Sequence, residues 1–208
     1  MVLAQAALDE LWDFADPAGS EGRLRAAAAA APGAERAELL TQVARALGLR
    51  ERFTAADAAL DEASAEAAHP AVRTRVALER GRLRNSGGDA VAALPLFADA
   101  AEVAAVSGLE FLQVDALHML AIAEPARADE WTDIALRVLD SVTEPRTLRW
   151  RVSLENNRGW ARFDAGRTAD ALASFVASRD AAVRWGTPEQ VSWADEAIAQ
   201  ARAALAAD

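Results

Sequence analysis

Gly81-Arg82-Leu83-Arg84-Asn85-Ser86-Gly87-Gly88-Asp89-Ala90-Val91-Ala92-Ala93-Leu94-Pro95-Leu96-Phe97 reads as the end of one helix, a turn and the start of another. Asn85 to Asp89 is a run of turn formers, so the helical pattern must break there and resume at Ala90. Gly81 and Ala93 are small residues on opposite sides of that turn. Two helices of a hairpin approach closely only where a small side chain sits at their crossing, and Gly81 and Ala93 supply one on each helix. Phe97, one turn beyond Ala93, is expected to fill the gap toward the next helix pair. The arrangement returns in Gly159, Arg162, Thr168, Ala171, Phe175 and Ser178, around the turn Asp164-Ala165-Gly166-Arg167. It is found in weaker form in Ala44, Leu47, Phe53, Ala56, Leu60 and Ala63, and again in Ala121, Ala135, Leu139 and Val142. The alanines at 56, 93, 135 and 171 are separated by steps of 37, 42 and 36 residues. A helical hairpin repeated at such a period is the mark of a solenoid, in which each unit buries its apolar face against its neighbours.

Outward from these repeats, the spacing of Leu3, Ala7, Leu8, Leu11, Trp12 and Phe14 predicts a helix over Val2 to Phe14. Pro17-Ala18-Gly19 breaks it, and Ser20 is the expected N-cap of a second helix that ends at Pro32-Gly33. At the other end, Thr187-Pro188 is an N-cap followed by proline at the first helical position. Val191, Ala194, Ile198 and Ala201 then form one apolar stripe. The predicted organisation is one all-α domain over 1–208. It comprises a helical hairpin (1–33), four repeats (37–70, 74–107, 112–144 and 147–183) and a capping helix (188–206).

These features resemble the tetratricopeptide repeat, a helix–turn–helix of about 34 residues with the pattern W-x2-L-G-x2-Y, then A-x3-F, then P. Phe97 and Phe175 each follow an alanine by four residues, Gly88 and Gly166 stand at the family's turn glycine, and His69-Pro70 resembles a closing proline. The family's Trp and Tyr positions are mostly Leu, Val or Arg, and Glu124-Pro125-Ala126 is inserted in the third unit. Leu11-Trp12-Asp13-Phe14 and Asn156-Asn157-Arg158-Gly159-Trp160 resemble stretches of bacterial tetratricopeptide proteins without an assigned activity. The resemblance implies a right-handed superhelix of antiparallel helix pairs with a concave groove.

Composition narrows the chemistry. Alanine makes up roughly a quarter of the chain, which favours closely packed helices. There is no Cys and no Tyr, and every basic side chain is arginine. Thiolate ligands, disulfides, cysteine nucleophiles, a phosphate-loop lysine and Schiff-base chemistry are therefore excluded. A net charge of −10 argues against nucleic acid and anionic lipid as partners. No secretory signal is legible at Met1 to Gln5, and no apolar run reaches the ~20 residues needed to span a bilayer. A cytoplasmic location is the resulting expectation. No cofactor or metal is expected.

In the register of the resemblance, the groove is lined by Thr41, Gln42 and Arg45, then Arg75, Glu79 and Arg82, then Asp115 and His118, then Ser153, Asn156, Asn157 and Trp160. Amides can bond a peptide backbone, arginines can pair with carboxylates, and an indole supplies apolar area. Asp115 and His118, three residues apart, share one helix face and could orient an imidazole for acid–base work, although no nucleophile-elbow serine accompanies them. The other histidine, His69, reads as a loop residue. The leading expectation is a non-catalytic scaffold for a protein or peptide partner. A homodimer or other homo-oligomer, using the groove or the last helix with Trp193, is the second reading. A hydrolase-type enzyme built on His118 is the remote third.

Overall fold

A computed structural model of the chain describes residues 3–207, so Val2 of the predicted first helix lies outside the described residues. Among the described residues the regular structure is helical throughout. The chain divides into two compact units, one running through Glu124 and the other beginning at Pro125. The boundary falls at the Glu124-Pro125-Ala126 insertion, within the third predicted repeat.

The first unit contains α1 (Gln5–Asp9), α2 (Pro17–Ala30), α3 (Gly33–Gly48), α4 (Phe53–Ala63), α5 (Pro70–Ser86), α6 (Ala90–Val106) and α7 (Glu110–Ala123). Helices pack chiefly on those one or two places along the chain: α2 on α3, α3 on α4 and α5, α5 on α6 and α7, and α6 on α7. The short turn between α5 and α6 works because Gly88 has φ +87°, a conformation open to glycine. Asp89 then caps α6, accepting from the Ala92 amide at 3.0 Å.

At the crossing of α5 and α6, a Cβ built on Gly81 would lie 2.4 Å from the Phe97 ring. The small-residue reading therefore holds, but with a correction. Phe97 seats against the first helix of its own pair rather than only reaching toward the next one, because the missing side chain leaves room for a ring there.

Two expectations for the opening stretch also change. The predicted helix over Val2 to Phe14 is reduced to the short α1. Beyond it, Trp12 and Phe14 stack at 4.8 Å with their rings 8° from parallel, and the Asp13 carboxylate accepts from the Ala15 amide at 2.9 Å. Residues before Pro17 are also biased away from helical geometry. Pro17 takes the first position of α2, so Asp16 is the N-cap, accepting from the Gly19 amide. Ser20, predicted as the cap, is buried, and its hydroxyl bonds the backbone of Asp13 at 2.8 and 2.9 Å.

The second unit contains α8 (Ala128–Leu139), α9 (Pro145–Leu148), α10 (Trp150–Asp164), α11 (Thr168–Trp185) and α12 (Pro188–Ala207). Helix α10 packs on α8 and α11, and α11 packs on α12. Gly159 meets Phe175 as Gly81 meets Phe97, its notional Cβ 2.3 Å from the ring. Phe175 also joins Ala197, Ile198 and Ala201 of α12 in one buried cluster, so α12 covers the end of this unit's core. Thr187 caps α12 as predicted, accepting from the Gln190 amide at 3.3 Å.

Candidate functional site

In the first unit, Glu38, Gln42 and Arg45 fall one or two turns apart on α3, and Arg75, Glu79 and Arg82 do so on α5. Each residue of the second set lies 37 positions after its counterpart. The period that builds the hairpins therefore also brings two polar stripes side by side. Asp115 and His118 add a third stripe from α7.

These side chains pair with one another. Arg75 Nε donates to Glu38 Oε2 at 3.2 Å. Arg82 bonds both Glu79 and Asp115, and Arg45 stands 4.0 Å from Glu79. Glu38, Gln42, Arg75, Glu79 and Asp115 are all buried. Such charges persist away from water only where paired. Burial alone would raise the Asp115 carboxyl, but Arg82 and then Arg45 outweigh it and hold the group below the usual carboxylate range. Burial lowers Arg82, and the charges of Asp115 and Glu79 more than reverse this, raising it. Burial and the charge of Arg82 lower Arg45. Burial pushes the His118 imidazole down to about 4, against a smaller upward pull from Asp115. His118 is therefore neutral at pH 7, and the carboxylate that was expected to orient it is engaged by Arg82.

The α3 and α5 stripes are covered by the protein's own leading segment. The Leu3 amide donates to Glu38 Oε1 at 3.2 Å, Arg75 Nη2 donates to Gln5 Oε1 at 3.2 Å, and Trp12 Nε1 donates to Gln42 Oε1 at 3.1 Å. The Arg45 guanidinium lies 6.0 Å from the Trp12 ring centre and 5.6 Å from that of Phe14, within cation–π reach. Leu8 is wholly buried in the core formed by α2, α3, α4 and α5. Thus Gln42, Arg45 and Arg75, singled out as partner-contacting residues, each contact a polypeptide segment. Glu38 was missed by the sequence reading. Its position, 37 residues before Arg75, is the signal that would have found it.

The second unit differs. Asn157 is exposed and Asn156 half-buried on α10. Trp160 is a packing residue, edge-on to Phe163 at 5.8 Å and to Phe175 at 4.9 Å. Beside them is an ion cluster. Asp129 lies 3.5 Å from Arg158 and 3.2 Å from both Arg162 and Arg167, while Arg158 also bonds Asp133. Burial raises the Glu155 carboxyl despite the opposing charges of Arg158, Arg162 and Arg151. An open cavity of about 490 Å³ lies nearby, lined by Leu139, Asp140, Leu148, Arg151, Glu155 and Trp185 among others. Of its two arginines, Arg151 is paired with Asp140 at 2.7 Å and Arg184 lies 5.8 Å from the Trp185 ring centre. Among the described residues no group of His, Asp and Glu is placed to hold a metal, and no helix is long and apolar enough to cross a membrane.

No protein-family model matches the chain, and no curated protein does. A solved structure titled "Crystal structure of BtubC (BKLC) from P. vanneervenii" is similar to it, with a TM-score of 0.57 and 18% sequence identity. The likeness covers 96% of this chain and 92% of that one. At this identity it speaks to the helical fold alone.

Proposed function

We propose that the chain is a non-catalytic, cytoplasmic scaffold that binds a protein or peptide partner, built as a right-handed solenoid of tetratricopeptide-like helix pairs. The solenoid reading is supported by near-neighbour packing of the helices and by the recurrent glycine–phenylalanine crossing. The binding reading is carried by one observation: the stripe of Glu38, Gln42, Arg45 and Arg75 holds a polypeptide segment through a backbone amide, a side-chain amide and two aromatic rings. A surface that reads those groups in cis has the chemistry to read them in a partner. Acid–base catalysis at His118 is disfavoured, because the imidazole is neutral and Arg82 occupies the carboxylate beside it.

Selection from a displayed peptide library against the intact chain tests this. Binding peptides are expected to lose about tenfold or more in affinity to a Gln42→Ala/Arg75→Ala variant and to keep their affinity for Asn156→Ala/Asn157→Ala. Absence of enriched peptides, or equal affinity for the first variant, would reject the site. A homo-oligomer is the second reading, favoured by Trp193, which lies on the outer side of α12 with 62% of its surface exposed. Sedimentation that shows a single monomeric species from micromolar to near-millimolar concentration would remove it.

A further inference from the structure

The open cavity of the second unit, about 490 Å³ in volume, is lined from the end of α8 and from α9, α10 and α11. That volume is within the range of small-ligand clefts. Its walls are held by contacts outside it. Ser178 of α11 donates to the Val152 carbonyl of α10 at 2.9 Å, and Trp185 packs on the buried Val152, Ala181 and Ala182. The Glu144 carboxylate caps α9 through the Arg146 and Thr147 amides at 2.7 and 2.6 Å, which fixes the short helix that carries Leu148.

Three carboxylates and two guanidiniums line the space: Asp140, Glu155 and Asp180, with Arg151 and Arg184. Asp140 and Arg151 neutralise each other. Arg184 is exposed and lies beside the Trp185 ring. Asp180 has no ion pair or hydrogen bond among the described residues.

Glu155 is the least satisfied of the five. Only 15% of its side chain is exposed, and the nearest cation, Arg158, stands 3.9 Å away. Arg158 is itself engaged by Asp133 and Asp129. No donor among the described residues bonds Glu155, whereas a polar group so sheltered ordinarily has at least one partner. Burial raises its carboxyl even against Arg158, Arg162 and Arg151, so these arginines leave the ionised form short of compensation. A cation entering the cavity supplies what is missing. The apolar walls suit an organic body, and among the described residues no group of His, Asp and Glu is placed to hold a metal ion. The net charge of −10 draws cations toward the chain.

We propose that this cavity binds a small organic amine, its ammonium received by Glu155 and its apolar body laid along Leu139, Leu148 and Trp185. Asp180 adds negative potential at the wall, and the indole ring offers a cation–π surface. The site is independent of the peptide-binding face of the first unit.

The test titrates the isotope-labelled full chain with phenethylamine and follows the Trp185 indole N–H resonance, assigned with Trp185→Phe. Saturable binding is expected, with a Kd of roughly 0.1–1 mM. Phenethyl alcohol, which lacks the charge, and hydrocinnamate, which reverses it, are each expected to bind about tenfold or more weaker. Glu155→Gln is expected to lose about tenfold or more, Asp180→Asn about threefold, and Arg184→Gln to gain about twofold. The ammonium stays charged at neutral and acid pH, so binding is expected to weaken as falling pH protonates Glu155, and Glu155→Gln to remove that dependence. If Glu155→Gln loses helicity by circular dichroism, Ala177→Leu takes its place; it fills the cavity without changing its charge, and the same loss is expected.

Absence of a saturable shift at ~10 mM amine, hydrocinnamate binding as tightly as the amine, or full affinity in both Glu155→Gln and Ala177→Leu overturns the proposal. So does tighter binding of a capped lysine, which would make the occupant a partner's side chain.

Discussion

The two units use the same hairpin crossing and surround it differently. In the first, the polar residues of α3, α5 and α7 are buried, paired and partly roofed by the segment that precedes α2. In the second, Arg158 has 10% of its side chain exposed, yet its partners Asp129 and Asp133 are 44% and 57% exposed. Asn157, an equally prominent candidate from the sequence, faces water. Equivalent steps of a helical repeat therefore place polar residues on comparable faces without fixing their dielectric surroundings. What lies over the face sets whether an ion pair there is a stability determinant or a surface contact.

The two faces differ most at their arginines. Removal of Arg82 leaves Glu79 and Asp115 buried without their principal counter-charge, so Arg82→Ala is expected to cost ~3–5 kcal/mol. Arg158→Ala uncovers acids that water already reaches and is expected to cost about 1 kcal/mol or less. Urea denaturation midpoints compare the two directly; equal losses would mean that the faces are equally buried.

The shared crossing makes the opposite prediction. Phe97→Ala and Phe175→Ala are each expected to cost ~3–5 kcal/mol, because both rings are wholly buried against glycine. A midpoint unmoved by either substitution would remove the equivalence of the two hairpins.

Acid sensitivity is expected from the first unit. The folded His118 pKa of about 4 lies below the ordinary histidine value. Above pH 6.5 the group is neutral in both states. As pH falls from 6.5 toward 4, the unfolded chain takes up a proton that the folded chain does not, and stability declines by up to ~3 kcal/mol. His118→Gln is expected to flatten the stability profile in that window. An unchanged slope would show that other groups carry the acid response.

Effects smaller than those of removing the rings concern close approach. Gly81→Ala and Gly159→Ala each place a methyl against a phenylalanine ring and are expected to cost ~1–3 kcal/mol. Thermal melts of the two variants should shift in the same direction; a shift in one alone would mean that the second crossing has room to relax.

Much of the architecture was legible because it depends on local and periodic features. Turn formers mark the break at Asn85–Asp89, Thr187-Pro188 marks the start of α12, and glycine opposite phenylalanine marks the α5–α6 and α10–α11 crossings. The opening stretch was misread because its apolar spacing fits a helix. Its aromatic residues instead leave the helix to stack on each other and to meet Arg45, residues remote in sequence. The candidate face was legible only as a register. Gln42, Arg45 and Arg75 were read as partner-contacting residues; the segment they contact in the structure is their own chain, and Glu38 beneath it was overlooked.

Most of the helices, their turns and the period at which small residues recur follow from the sequence locally, because helix propensity, capping and 3.6-residue spacing act over a few residues at a time. Tertiary structure alone decided which polar residues would be buried, which arginine would neutralise which acid, and what would lie across the α3 and α5 stripes. Those outcomes depend on the approach of segments some 30 to 70 residues apart, and burial changes the energy of a charge far more than its neighbours in sequence do.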